Sequence, residues 1–158
     1  MVRRVTGKSN PSYKILWLSV ATFAISGILP WFVVNFPIGN LKISILDLIW
    51  YFSDNKGIEI DFYSAIIYEI LLFGWIFNLL FLFSAAILKK SSLVLISASL
   101  TILPSLIWIF VIPNLRIQMI FLSLSNQPID SNQTIGSGEI AAIIAGIIAV
   151  YSYIRIKI

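Results

Sequence analysis

A chain of 158 residues that is 59% hydrophobic and only 11% charged, with a mean hydropathy of +0.96, lies far outside the range of water-soluble domains. The length suits one domain, and so much apolar sequence leaves little for an extramembrane fold, so residues 1–158 read as a single membrane domain. With no His, no Cys and two Met, the chain lacks the usual ligands of haem, copper, iron–sulfur and structural zinc, and it has neither thiol nucleophiles nor histidine acid–base chemistry. No cofactor is expected, and no enzyme.

The first apolar segment, 14–36, follows a basic leader containing Arg3, Arg4, Lys8 and Lys14. A cleaved signal peptide is the competing reading. The apolar stretch, however, continues through Leu29-Pro30-Trp31-Phe32-Val33-Val34 without a small-residue cleavage step, and it is read as a retained span. In the outer loop 37–63, Asn40–Ile45 and Gly57–Phe62 alternate polar and apolar residues at the period of half-buried strands, with turn residues at Pro37–Asn40 and Ser53–Gly57. A short antiparallel sheet from this loop is expected on the outer membrane surface. The alternative is an irregular loop anchored at the interface by Trp50, Tyr51, Phe52 and Tyr63.

The second segment, 64–88, covers about 25 residues, or roughly 37 Å of helix against a hydrocarbon core of about 30 Å, and is expected to tilt. The third, 92–112, follows it across the basic turn Lys89-Lys90, making an antiparallel helical hairpin, and Pro113 marks a break. In the outer loop 114–138, Asn114–Leu124 stays apolar around Arg116 and Gln118, as an extension of the third helix or an interfacial helix. Ser125–Gly138 reads as a solvated loop and carries the glycosylation sequon Asn132-Gln133-Thr134. The fourth segment, 139–154, is the shortest, at about 16 residues where about 17 to 25 are usual. Arg155 and Lys157 can snorkel to complete the crossing. A surface helix is the alternative, but Ala141–Tyr151 is apolar all the way round.

Orientation follows from the basic residues of the short connections. Eight of the eleven, Arg3, Arg4, Lys8, Lys14, Lys89, Lys90, Arg155 and Lys157, lie in the two tails and the Lys89-Lys90 turn, whereas Asp47, Asp54, Glu59, Asp61, Glu69, Asp130 and Glu139 all lie in or beside the two outer loops. Both termini are therefore expected on the cytoplasmic side of a cell membrane. Nucleic acid is a poor partner for positive charge divided among three short segments.

Lipid offers no hydrophobic drive for helix association, so helix contacts should use small and polar residues. Gly138, Ala142 and Gly146 recur at i, i+4 and i+8 as a smooth ridge, and Ser97, Thr101 and Ser105 recur at the same spacing beside Pro104; Ser19, Thr22 and Ser26 form a weaker stripe. Each hydroxyl has the alternative of bonding its own helix backbone. Glu69 falls about five positions into the second segment and is the intramembrane ionisable candidate, unless the long helix carries it to the headgroups. Asn78 lies about 180° round the same helix from Glu69, so the two cannot line one path from one face.

Leu29-Pro30-Trp31, the outer-loop Trp50 after Leu48-Ile49, and Gly136-Ser137-Gly138 before a small-residue-rich fourth segment resemble claudin-like tetraspan proteins and the LPW-type four-span proteins widespread in bacteria and archaea. The resemblance implies a left-handed four-helix bundle, an outer β-sheet made mainly by the first loop, and lateral self-association through extracellular surfaces. Claudins carry a disulfide in that loop, which this chain lacks. The expected fold is thus a mainly α membrane bundle of four helices with a small outer hairpin or sheet. The expected role is structural or accessory, with copies of the chain or other membrane or envelope proteins as partners. A small transporter or channel subunit using Glu69 and the hydroxyl stripe is the alternative. Thirty-one isoleucines, with Lys preferred to Arg, suggest an A/T-rich archaeal genome or a virus of such a host, and hence a virion envelope as a variant location.

Overall fold

Pro30 decides how the first apolar segment ends. The residue before a proline is pushed toward extended conformations, and the β-branched pair Val33-Val34 favours a strand. In the computed structural model, which describes residues 11–36, 39–53, 62–111 and 132–157, the chain accordingly leaves helix α1 (Pro11–Ser26) and enters strand β1 (Pro30–Phe36). The expectation of one continuous span over 14–36 is corrected: the helix has 16 residues, about 24 Å of length.

Strand β2 (Gly39–Ser44) pairs antiparallel with β1, from Phe36 opposite Gly39 to Pro30 opposite Ser44. This is the first of the two strands expected in the outer loop; the second, 57–62, falls almost wholly outside the described residues. Ser44 then caps helix α2 (Ile45–Ser53). Its hydroxyl accepts from the Asp47 backbone N–H at 3.1 Å and its own N–H donates to Asp47 Oδ2 at 2.7 Å, a reciprocal box that starts the helix where the loop alternative had none. Ile45 and Leu48 are buried on one face of α2 while Leu46 and Ile49 stay exposed.

Helices α3 (Phe62–Leu88) and α4 (Ser91–Val111) form the expected hairpin. Lys89 adopts φ 51°, the left-handed conformation that ends many helices, and Lys90 accepts the first backbone bonds of α4 from Leu93 and Val94. After the outer segment, strand β3 (Asn132–Ile135) pairs antiparallel with the other edge of β1, giving the order β2-β1-β3. The expectation of a solvated loop over 125–138 is corrected at these four residues. Helix α5 (Ser137–Lys157) closes the chain.

Three helices are long and apolar enough to cross a membrane, over Ile66–Leu88, Ser91–Phe110 and Ser137–Lys157. Of the four bundle helices the shortest is α1, not the last, because α5 begins at Ser137 and runs through the basic residues to Lys157. Around the bundle, α5 lies between α1 and α4, and α3 closes the ring between α4 and α1. Helices α1 and α5 run antiparallel: the Ser19 hydroxyl donates to the Ala145 carbonyl at 2.7 Å, while Ser26 lies against Gly138 one end further up. The core contains Leu16, Phe23, Leu82, Val94 and Ala142, Ala145 and Ala149 of α5.

Candidate functional site

The residues that drew attention separately in the sequence, Leu29-Pro30-Trp31 and Gly136-Ser137-Gly138, meet at one joint between the sheet and the bundle. The β1–β2 register shifts between Pro30 and Phe32. Such a bulge re-aims a side chain, and here it lets two successive residues, Trp31 and Phe32, both be buried where strict alternation would put them on opposite faces. Phe32 stacks on Tyr68 of α3 with ring centroids 5.2 Å apart. Trp31 turns back to the end of α1, where its Nε1 donates to the Ser26 carbonyl at 2.7 Å.

Ser26 is the hub of this joint. Its carbonyl accepts from Trp31, its hydroxyl donates to the Phe23 carbonyl at 2.6 Å, and that hydroxyl oxygen accepts from Trp75 Nε1 at 3.2 Å. Carbonyls left over at the end of a helix need such donors; here Trp31 of β1 and the Ser26 hydroxyl supply two, and Trp75 of α3 holds that hydroxyl in place. On the opposite side the Gly136 N–H donates to the Trp31 carbonyl at 2.7 Å. A Cβ on Gly136 would sit 2.0 Å from the Pro30 carbonyl oxygen, and one on Gly138 would sit 2.4 Å from Trp31 Cδ1 and 2.7 Å from the Leu29 and Ser26 carbonyl oxygens. Only glycine allows the start of α5 to approach β1 this closely.

Glu139 follows directly, in the first turn of α5, and it is fully buried. Neither carboxylate oxygen has a hydrogen-bond partner among the described residues. A buried carboxyl of this kind is costly and marks a candidate functional position. In the sequence Glu139 stands only as one acidic residue beside the second loop. Its burial comes from the glycine joint, whose only local signal was the Gly136-Ser137-Gly138 triplet.

The other candidates fall as follows. Gly138, Ala142 and Gly146 are buried inside the bundle, together with Ala145, Ala149 and Ser152. A Cβ on Gly146 would meet Ile102 Cγ1 at 2.4 Å. The ridge is taken up by contacts with α1 and α4 inside the bundle. Ser97, Thr101 and Ser105 are buried and donate to the carbonyls of Val94, Ser97 and Thr101 on their own helix, as Thr22 does to Leu18. The Asn78 Nδ2 donates to Thr101 Oγ1 at 2.9 Å, joining α3 to α4. Glu69 is exposed on the face of α3 away from buried Asn78, so Glu69 and the hydroxyl stripe do not share a lining. Trp50 lies in α2, with its side chain outside the described residues. Asn132 opens β3 opposite Asn35, and the Thr134 hydroxyl of the same sequon donates to the Val33 carbonyl at 3.4 Å.

Charge is segregated along the bundle. Tyr13 donates its hydroxyl to the Lys89 carbonyl, bringing the start of α1 to the α3–α4 turn. The antiparallel course of α5 brings Arg155 and Lys157 to the same end, where they lie over the Tyr151 and Tyr153 rings. Lys14, Lys89, Lys90, Arg155 and Lys157 thus share one end, while Asp47 and Glu139 lie at the other, beside the sheet, where Lys42 of β2 is the basic residue among those described. No protein-family model, no curated protein and no solved structure matches this chain.

Proposed function

We propose that the chain is a non-catalytic, four-span membrane protein with both termini on the cytoplasmic side, whose rigid outer cap associates with copies of itself or with other membrane or envelope proteins. The observation that carries this reading is the joint at Ser26, Trp31 and Gly136, which ties a three-stranded sheet to the bundle through hydrogen bonds and glycine contacts from three elements. A sheet held this firmly is suited to presenting a surface. Among the described residues β2 and β3 each pair only with β1, so both leave an outer edge of backbone donors and acceptors, the ordinary template for pairing with another chain.

Helix α1 completes the four spans if the strand residues after it sit at the membrane surface, and a segment shorter than the hydrocarbon core is accommodated by local thinning of the bilayer. The positive end of the bundle sets the orientation. A polar path has less support, because the buried hydroxyls bond their own helices and Glu69 faces outward.

Native mass spectrometry from a gentle detergent tests the association. A discrete homo-oligomer or a fixed partner is the expected result, and proline substitutions that block the outer edge of β3 are expected to shift it toward monomer. A strictly monomeric protein with no co-purifying partner at all concentrations tested would sink the proposal.

A further inference from the structure

Resting on the reading that these helices lie in a bilayer, we infer that the basic end of the bundle binds the phosphate headgroups of anionic phospholipids, with Arg155 and Lys157 of α5 at the centre of the surface. Lys14, Lys89, Lys90, Arg155 and Lys157 are all exposed there. The chain has no Asp or Glu over 1–46, 70–129 or 140–158, the stretches from which this end is built. Insertion accounts for the sign of the charge. It leaves the finished protein with clustered cations that no acidic side chain of the same stretches neutralises, a surface matched to an anionic partner.

Depth identifies that partner. The Ser19–Ala145 bond sets the register of the antiparallel helices α1 and α5, and equal steps along both bring Tyr13 level with Tyr151. The approach of Gly146 to Ile102 does the same for α4 and α5, bringing Lys157 level with Ser91, beside Lys90. Tyr13, whose hydroxyl donates to the Lys89 carbonyl, thus shares one tier with Tyr151, and Arg155 and Lys157 stand about one helical turn, roughly 5 Å, beyond it. Rings followed outward by cations is the order of a membrane interface, with aromatic side chains at the edge of the acyl region and ammonium and guanidinium groups among the phosphates.

Arg155 is also oriented for the task. Its Nε donates to the Tyr151 hydroxyl at 3.0 Å, and its guanidinium lies 5.4 Å from the centroid of that ring; Lys157 Nζ lies 5.6 Å from the Tyr153 centroid. Among the described residues the two terminal nitrogens of Arg155 have no other partner. They form a fork that takes two phosphate oxygens at once. A phosphatidylglycerol answers this fork with net negative charge, whereas the choline of phosphatidylcholine cancels the charge of its own phosphate.

The full chain in a mild detergent is offered equal amounts of a phosphatidylglycerol and a phosphatidylcholine of different chain mass, and the lipids it retains are counted by native mass spectrometry. Phosphatidylglycerol is expected to be held roughly fivefold in preference, the worth of about one cation beside an anionic headgroup. Arg155→Gln together with Lys157→Gln is expected to bring the ratio close to one. Lys42→Gln, which removes a cation at the sheet end, should leave it unchanged. Raising the ammonium acetate from about 0.05 M to about 0.5 M should erase the preference without any substitution. The inference is overturned by a preference that survives the double substitution or the salt, by its loss in Lys42→Gln, or by displacement with glycerophosphoglycerol, the headgroup freed of its chains, which would make this a site for soluble anions. Protein that retains neither lipid withdraws the bilayer reading as well; protein that retains both equally withdraws only the headgroup surface.

Discussion

At Gly136 a single added carbon would sit 2.0 Å from a backbone oxygen that cannot move aside, whereas at Gly74 the same carbon would meet nothing within 4 Å. The two alanine substitutions should therefore have opposite signs. Gly136→Ala is expected to lower stability by about 2 to 3 kcal/mol through overpacking, and Gly74→Ala to raise it by about 0.5 to 1 kcal/mol through helix propensity. Thermal unfolding in detergent, followed by tryptophan fluorescence, reads both; equal effects would show that the joint is not tight. The two glutamates form a second contrast. Glu69 is exposed, and Glu139 is buried with no hydrogen-bond partner among the described residues. Glu69→Gln should change stability by less than about 0.5 kcal/mol. Glu139→Met, which removes an unsatisfied carboxyl while keeping most of its volume, should add about 1 to 3 kcal/mol. A loss of stability in Glu139→Met would mean that the carboxyl has a stabilising partner.

Among the elements, α2 depends most visibly on one residue. Ser44 supplies its cap, and Ser44→Ala should cost about 1 kcal/mol, seen as faster amide exchange confined to 45–53; exchange that rises across α3 as well would contradict a local role. The α3–α4 contact is similarly specific. Thr101→Val strands the Asn78 amide and should cost about 1 to 2 kcal/mol, while adding Asn78→Leu should restore most of it. Some of these elements could be read in advance and others could not. Helices α3 and α4 and their Lys89-Lys90 turn follow from length, hydropathy and a basic break. Strand β1 does not, because Trp31-Phe32-Val33-Val34 is equally apolar as the end of a span or as a doubly covered strand, and periodicity cannot separate the two. Strand β3 is three polar residues and one isoleucine whose partner, β1, lies 101 positions earlier at the Thr134–Val33 contact, so no local signal marks it. Glu139 was visible as a charge, but its burial is a product of that distant packing.

For the molecule as a whole, the segregation of charge makes a topology that can be tested cleanly, since the chain has no cysteine to remove. Single cysteines at Asn40 and at Lys90, both exposed, should react oppositely with a membrane-impermeant maleimide added to intact cells or sealed right-side-out vesicles. The cysteine at 40 should label, and that at 90 only after permeabilisation; the reverse pattern would invert the orientation derived from the basic residues.

The pairing of β1 on both edges has a consequence for how the protein is made. Strand β2 follows β1 directly and can pair with it as soon as both have left the ribosome, but β3 arrives only after α3 and α4. The sheet is therefore finished last, as α5 emerges. Until then one side of β1, with Trp31 and the carbonyls of Leu29 and Pro30, waits uncovered for Gly136 and Gly138. A nascent chain stopped before residue 132 would carry an open strand edge, a ready mark by which an assembly chaperone or protease could tell an unfinished copy from a complete one.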